Sequence, residues 1–123
     1  MSEHIVTIDT YLAAYSETDQ QRRRALIIES FTTDATLADP PLDATGHDGL
    51  DSMFAAVQSQ FPGHRFRRCT GIDSHHGTAR YGWELATDDG IVTVAGTDFV
   101  RFAPNGLITT VVGFFGPLPA LDA

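Results

Sequence analysis

Asp98 occupies the most unusual setting of any acidic residue in this sequence. Side chains alternate between the two faces of a strand, and Asp98 shares one face of the predicted strand over 90–103 with Gly96 and Val100. An ionised carboxylate on that apolar face loses its hydration, so it must find partners or stay neutral with a raised pKa. Such a carboxyl group is a candidate for acid–base chemistry. The structural alternative is a bulge that turns Asp98 outward, or a hydrogen bond to a backbone turn.

Asp39 and Tyr11 are further candidates, and each also has an ordinary structural explanation. Asp39 precedes Pro40 and Pro41, where a strand-like run over 35–38 gives way to a loop. Aspartate before proline is common at turns because its side chain satisfies backbone donors. Tyr11 flanks a helical stripe, where a packed ring with a hydrated hydroxyl is the usual arrangement. The three residues are therefore of interest mainly as a set.

Three helices are predicted to precede the main strands. The first has an apolar stripe at Ile5, Ile8, Leu12 and Tyr15, and the third has one at Leu50, Met53, Phe54, Val57 and Phe61. The second helix is expected from Asp19 to about Phe31. Thr18 and Gln21 are predicted to form a capping box at its start.

The second half of the chain is predicted to form an antiparallel meander. Strands are expected over about 64–72, 78–87, 90–103 and 107–116. Glycine-containing turn signals separate them at 75–77, 88–90 and 104–106. Helices first and strands later predict an α+β fold, with the helices on one face of a curved sheet.

The composition predicts a soluble protein with one domain over 1–123. A chain of 123 residues can bury a core without staples, and its one cysteine, Cys69, excludes an intrachain disulfide. The formal charge of −8 argues against nucleic acid or a membrane as partner, since phosphate contacts need clustered cations. Without a basic leader or a membrane-spanning apolar stretch, we expect a cytoplasmic location. The arginines at 22–24 and Asp51 are expected to be solvated.

Five segments, in order, resemble NTF2-like proteins. They are YLAAY at 11–15, DATLADP at 34–40, GHDGL at 46–50, TDFVRF at 97–102 and GLITTVVGFFG at 106–116. They are similar to the SnoaL-like and ketosteroid-isomerase-like members of that superfamily over nearly the whole chain. The resemblance implies a cone in which three N-terminal helices pack on a strongly curved, mostly antiparallel sheet and close a pocket.

The resemblance also implies catalytic roles for the three candidates. In ketosteroid isomerases the aspartate of a strand-end Asp-Pro motif is the general base, and Asp39 occupies that place. A tyrosine on the first helix and an aspartate on the Asp-x-x-Arg-Phe strand donate hydrogen bonds to the substrate oxygen, and Tyr11 and Asp98 match them. The residues expected to line the substrate pocket are Tyr15, Phe31, Met53, Phe54, Val57, Trp83 and Phe115.

The implied function is carboxylate-catalysed proton transfer α to a carbonyl of a small apolar substrate, as in a ketosteroid isomerase or polyketide cyclase. One alternative is a non-catalytic binding or dimerisation domain for an apolar ligand. Another is a dehydratase or hydrolase of the same fold. A dehydratase would need a histidine such as His64 beside Asp39, and an epoxide hydrolase would need an aspartate where Gly113 stands.

No cofactor and no metal are predicted, because no His-x-His or His-Glu-x-x-His spacing occurs. His75 and His76 adjoin a glycine in an expected hairpin turn, where exposed polar side chains are usual. The expected partners are a small apolar molecule and, from the resemblance, a second copy of the chain in a homodimer.

Overall fold

The computed structural model describes residues 2–122, so residues 1 and 123, the two ends of the predicted domain, lie outside it. The helices are α1 (Ser2–Ser16), α2 (Gln20–Ser30) and α3 (Gly46–Gln60). The strands are β1 (Phe31–Asp39), β2 (Leu42–Thr45), β3 (His64–Arg68), β4 (Asp73–His75), β5 (Thr78–Thr87), β6 (Val92–Phe102) and β7 (Ile108–Phe115). Across this described range, each helix is too short or too polar to cross a membrane.

The strands form one strongly curled sheet. Their order is β2-β1-β7-β6-β5-β3, with β4 paired to β5. β1 and β7 run parallel, whereas every other pair runs antiparallel. The helices close this curled sheet, with α1 packed against β3 and α3 against β1. The predicted α+β fold of three helices on a strongly curved, mostly antiparallel sheet is confirmed.

Two details of the strands differ from the prediction. The strand expected over 64–72 ends at Arg68, because the Thr70 hydroxyl accepts a hydrogen bond from the Gly82 amide in place of a backbone carbonyl. The short strand β4 begins at Asp73, beyond the predicted span. β2 was not predicted, since it has only four residues, directly follows Pro40 and Pro41, and is mostly exposed. It returns along β1 after Pro40 and Pro41 and forms a hairpin with that strand.

Asp19 caps helix α2. Its carboxylate accepts a hydrogen bond from the Arg22 backbone amide at 3.0 Å, which satisfies one free N–H of the first turn. The predicted capping box of Thr18 and Gln21 is wrong, because the helix begins one residue later than that motif requires, at Gln20.

A buried ion pair joins α2 to α3. Arg23 Nε donates to Asp51 Oδ1 at 2.6 Å, and the two residues are only 5% and 4% exposed. Arg24 and Gln20 donate to the other Asp51 oxygen, each at 3.1 Å. The expectation that Arg23 and Asp51 are solvated is wrong, because the helices pack with these faces together. Arg22 is exposed, as predicted.

The register of the central strands positions the candidate site. Asp98 on β6 pairs with Tyr81 on β5 and with Gly113 on β7, and the register is unbroken across this region. Asp98 therefore faces inward, which excludes the alternative in which a bulge turns it to solvent. Because β7 also pairs with β1, the last residue of β1, Asp39, is carried to the same inner surface beside Gly113.

Candidate active site

Asp39 and Asp98 converge on the space above Gly113. A Cβ atom at position 113 would clash with Asp39 Oδ1 and would lie 3.1 Å from Asp98 Oδ1. Only glycine leaves room for both carboxyl groups at this point of the sheet. Asp39 is 7% exposed and Asp98 is 1% exposed, so two acidic groups share one buried location.

Each carboxyl group is held by a tyrosine. The Tyr15 hydroxyl on α1 donates to Asp39 Oδ2 at 3.0 Å, and the Tyr81 hydroxyl on β5 donates to Asp98 Oδ2 at 2.7 Å. Asp39 Oδ1 is buried and has no hydrogen-bond partner among the described residues. That oxygen therefore has neither water nor a hydrogen bond to stabilise its negative charge in the folded protein.

Burial raises the pKa of both carboxyl groups. The pKa of Asp98 rises to about 7, mainly because of desolvation and then because of the nearby charge of Asp39. Hydrogen bonding from Tyr81, Tyr11 and Trp83 opposes this rise. Desolvation also raises the pKa of Asp39, and the hydrogen bond from Tyr15 opposes that rise. Near neutral pH the pair therefore holds a proton for part of the time, and it titrates as a coupled unit.

The three tyrosines around the pair remain protonated donors. Burial raises the pKa of each phenol above its ordinary value of 10.0. The next largest cause is the nearby charge of Asp98 for Tyr11 and Tyr81, and that of Asp39 for Tyr15. These hydroxyls can donate to the carboxylates, but they cannot serve as bases at physiological pH.

A small apolar cavity of about 180 Å³ opens beside Asp39. It is lined by Tyr15, Asp39, Pro40, Pro41, Leu42, Val57, Gln60, Phe61, Phe66, Trp83, Leu85, Val94 and Phe115. Among these lining residues Asp39 carries the only carboxylate, and none has a cationic side chain. A larger open groove of about 640 Å³ between α1 and β3 is lined by many charged residues and reaches neither carboxyl group.

The predicted pocket residues divide between the wall of the cavity and the core behind it. Tyr15, Val57, Trp83 and Phe115 line the cavity together with Asp39. Tyr11 and Asp98 do not line it, and each is 1% exposed. Both lie behind the wall, on the core side of Asp39.

Phe31, Met53 and Phe54 also differ from the expectation that they line the pocket. All three are buried in the hydrophobic core. The ring of Phe54 stacks on Tyr15, with 4.3 Å between centroids, and Phe31 packs edge-on against Tyr11 at 5.3 Å. None of the three lies on the lining of the cavity beside Asp39.

Tyr81 and Trp83 have polar roles that sequence reasoning missed. Alternation along β5 places both side chains on the buried face of the strand but identifies no polar partner for either. The hydrogen bond between Tyr81 and Asp98 depends on strand register, because only the pairing of β5 with β6 places the two residues opposite each other. Sequence periodicity does not determine that register. Trp83 Nε1 lies close enough to Asp98 to favour its charged form, but it makes no hydrogen bond of normal geometry within residues 2–122.

The histidines lie apart from the carboxyl pair. His64 contacts the Pro62 carbonyl at 3.0 Å and the Thr93 hydroxyl at 2.7 Å, so both ring nitrogens are engaged away from Asp39. His75 and His76 contact one another in the exposed hairpin turn. In the part of the chain that the structure describes, no three His, Cys, Asp or Glu side chains are grouped to hold a metal ion.

The comparisons with known proteins rest on solved structures, because no family profile and no curated protein matches this sequence. A proposed isomerase of the SnoaL-like family from Agrobacterium tumefaciens is 35% identical, with a TM-score of 0.87, over 95% of this chain and 100% of that chain. A protein with a ketosteroid-isomerase-like fold from Catenulispora acidiphila, in complex with trimethylamine, is 13% identical, with a TM-score of 0.70, over 89% and 85%. A proposed polyketide cyclase from Sinorhizobium meliloti is 15% identical, with a TM-score of 0.65, over 88% and 93%.

A curled sheet closed by three helices around an internal cavity defines an NTF2-like protein, and the solved structures agree with that class. The Agrobacterium relative identifies the family within that class, since the identity of 35% extends over the whole of that protein. The chain therefore belongs to the SnoaL-like family. The two structures of lower identity support the fold alone.

Proposed function

We propose that the protein is an enzyme that transfers a proton α to the carbonyl group of a small apolar compound, as an isomerase or cyclase does, with Asp39 as the general base. One observation carries this proposal. Asp39 lies on the wall of an apolar cavity with one oxygen fixed by Tyr15 and the other buried without a partner. A carboxylate with a raised pKa in such a site is a stronger base than one in water.

Trp83 is the proposed donor to the substrate oxygen, and this role requires its ring to turn when a ligand binds. The ring lines the cavity, whereas its buried N–H lies close to Asp98 behind the wall, without an aligned acceptor within the described residues. A donor in a water-poor site stabilises the negative charge that develops on a carbonyl oxygen as the α proton leaves. Asp98 and Tyr11 lie behind the wall, so we assign them a supporting role. Asp98 in its neutral form allows Asp39 to hold the charge, and Tyr11 donates toward Asp98.

The cavity size restricts the proposed substrate. Pockets for larger ligands occupy roughly 300–1,000 Å³, whereas a cavity of about 150 Å³ can hold benzene. The cavity beside Asp39, at about 180 Å³, suits a single-ring ketone or a short-chain carbonyl compound better than a fused four-ring steroid.

The proposal is tested with cyclohex-3-enone, a single-ring β,γ-unsaturated ketone. Conversion to the conjugated enone is followed by ultraviolet absorbance for the wild type and for Asp39→Asn. Asp43→Asn is the matched control, because Asp43 is an exposed aspartate four positions along the chain. We expect Asp39→Asn to lose at least about 10²-fold in rate while the control is unchanged. Equal rates for the wild type and Asp39→Asn would contradict the assignment of the base, and tight binding of cyclohexanone without turnover would favour the non-catalytic alternative.

We also propose that two copies of the chain associate through the outer face of the sheet. Phe99 and Val112 are directly paired on that face, and Phe114 beside them is 60% exposed. Exposed apolar side chains on neighbouring strands are typical of an interface. We propose a cytoplasmic location, where the exposed thiol of Cys69 would stay reduced. Light scattering should give twice the monomer mass for the wild type and the monomer mass for Phe114→Asp. A monomeric wild type would contradict the proposed dimer.

A further inference from the structure

The cavity beside Asp39 has the form of an aromatic cage. Five of its lining residues are aromatic: Tyr15, Phe61, Phe66, Trp83 and Phe115. The Trp83 ring meets Phe66 at 63° and Phe115 at 80°, with centroids 5.5 and 5.7 Å apart. Because the Trp83 ring is steeply inclined to the other two, the three rings line the cavity from different sides. Parallel stacked rings would instead pack against each other and leave less space between them.

The electrostatic character of this cage is negative. Aromatic faces carry negative partial charge, and Asp39 adds a carboxylate whose Oδ1 atom is buried and unpartnered. The described lining contains no lysine, arginine or histidine to neutralise that carboxylate. The whole chain has a formal charge of −8. An anion is therefore disfavoured in this cavity, and a cation is attracted to it.

The number of hydrogen bonds available restricts the kind of cation. A primary ammonium has three N–H donors and would leave some of them unsatisfied in an apolar cavity. A trimethylammonium ion has a single N–H, so it leaves at most one donor to satisfy beside the Asp39 carboxyl group on the cavity wall. Its three methyl groups would contact the aromatic rings. The ion also fits by size, because it has four heavy atoms and a cavity of about 150 Å³ can hold the six of benzene.

We propose that this cavity binds a small methylated ammonium ion, held between the aromatic walls with Asp39 as its counter-ion. The site shares Asp39 with the proposed function but requires no proton transfer from carbon, so it goes beyond that function and does not depend on it. Trp83 and Phe115 supply two of the cation-binding faces, and the Asp39 carboxylate on the cavity wall supplies the opposite charge.

The binding test compares trimethylammonium chloride with tert-butanol, a neutral molecule of similar shape, at pH 8 and constant ionic strength. Trp83 is the only tryptophan in the chain, so its fluorescence reports occupancy of the cage directly. We expect a saturable fluorescence change with trimethylammonium and an affinity for tert-butanol that is weaker by at least about tenfold. Asp39→Asn should weaken trimethylammonium binding by at least about tenfold, whereas Asp43→Asn should bind as the wild type does.

Phe115→Leu provides a second arm that leaves the counter-ion in place. This variant keeps an apolar wall but removes one aromatic face, so trimethylammonium should bind several-fold more weakly while tert-butanol binds about equally well. Circular dichroism and thermal melting confirm that each variant is folded. Equal affinities for the two probes, binding of neither probe, or unchanged trimethylammonium binding by Asp39→Asn would each overturn the proposal. The readout is binding, so an inactive enzyme in the enone assay would leave this result unaffected.

Discussion

Tyr81 and Asp98 are directly paired across β5 and β6, and the tyrosine hydroxyl donates to the carboxyl group at 2.7 Å. On its other side Asp98 pairs with Gly113, where the Asp39 carboxyl group also converges. Asp98 therefore has a neutral donor on one side and a second acid on the other. The donor favours its charged form and the acid favours its neutral form. The balance between the two sets the pH behaviour of the site.

The proposed enzyme should have a bell-shaped pH dependence. Asp39 must be ionised to act as a base, so kcat should fall as the pH drops through its raised pKa, above the ordinary value of 3.8. Asp98 ionises at about 7, and its charge opposes the negative charge that forms on the substrate. The rate should therefore fall again above about pH 7. The measurement is kcat for the enone reaction between pH 4 and 9.

Asp98→Asn separates the two limbs of this profile. The variant cannot ionise at position 98, so the decline above about pH 7 should disappear while the acid limb remains. Tyr81→Phe should instead shift the alkaline limb upward, because the hydroxyl that lowers the pKa of Asp98 is lost. An alkaline limb that is identical in the wild type and both variants would mean that another group controls it.

Asp98 should also make the folded protein less stable as the pH rises. Its folded-state pKa of about 7 lies above its ordinary value of 3.8, so the folded state holds the proton more tightly than the unfolded state does. Its contribution to stability is complete below 3.8 and is lost progressively as the pH rises to about 7. Asp98→Asn should therefore be more stable than the wild type at pH 8, by about 1–3 kcal/mol.

Urea unfolding at pH 5 and pH 8 measures this difference. The gain in the free energy of unfolding from Asp98→Asn should be larger at pH 8 than at pH 5, because at pH 5 the wild-type residue is largely neutral. Subtracting the wild type at each pH removes the contribution of acids that do not interact with Asp98. Asp51 is an example, with a pKa that desolvation raises but that its hydrogen-bond donors, led by Arg23, lower overall. The same gain at both pH values would show that Asp98 does not titrate as described.

Gly113→Ala should damage the site through a single methyl group. The added Cβ would clash with Asp39 Oδ1 and crowd Asp98, so one carboxyl group must move. We expect a loss of about 1–3 kcal/mol in stability, as for other overpacked positions, together with a loss of at least about tenfold in kcat. Gly71→Ala is the matched control, since a Cβ at that position meets nothing within 4 Å. Normal activity of Gly113→Ala would show that the position of Asp39 is not critical.

The sequence predicts those parts of the site that depend on local periodicity. Strand alternation alone places Asp98 on an inner face, and the two prolines after Asp39 mark the end of its strand. The partner of Asp98 depends on strand register, which links residues far apart in the chain, so Tyr81 could not be assigned. The apolar stripe of α3 predicts that Phe54 is buried, but it cannot show that the Tyr15 ring separates Phe54 from the cavity.

The buried pair of Arg23 and Asp51 is a further tertiary feature, and its energetics can be tested apart from the active site. Arg23→Met removes one partner and leaves the Asp51 carboxylate largely buried, with only Arg24 and Gln20 as donors. The cost of breaking such a pair is about 3–5 kcal/mol, and the remaining contacts at Asp51 favour the lower end. Arg22→Met is the matched control, because Arg22 is exposed on the same helix and should change stability by less than about 0.5 kcal/mol.

Urea unfolding of the two variants at pH 7 gives the comparison, and the enone assay shows whether the active site is affected. We expect kcat of Arg23→Met to stay within about twofold of the wild type under conditions where the variant is fully folded, since the pair lies between α2 and α3 and contacts neither Asp39 nor Asp98. Asp51→Asn should recover part of the lost stability when added to Arg23→Met, because it removes the uncompensated charge. Additive losses in the double variant would show that the charge at Asp51 is stabilised by Arg24 and solvent and does not depend on Arg23.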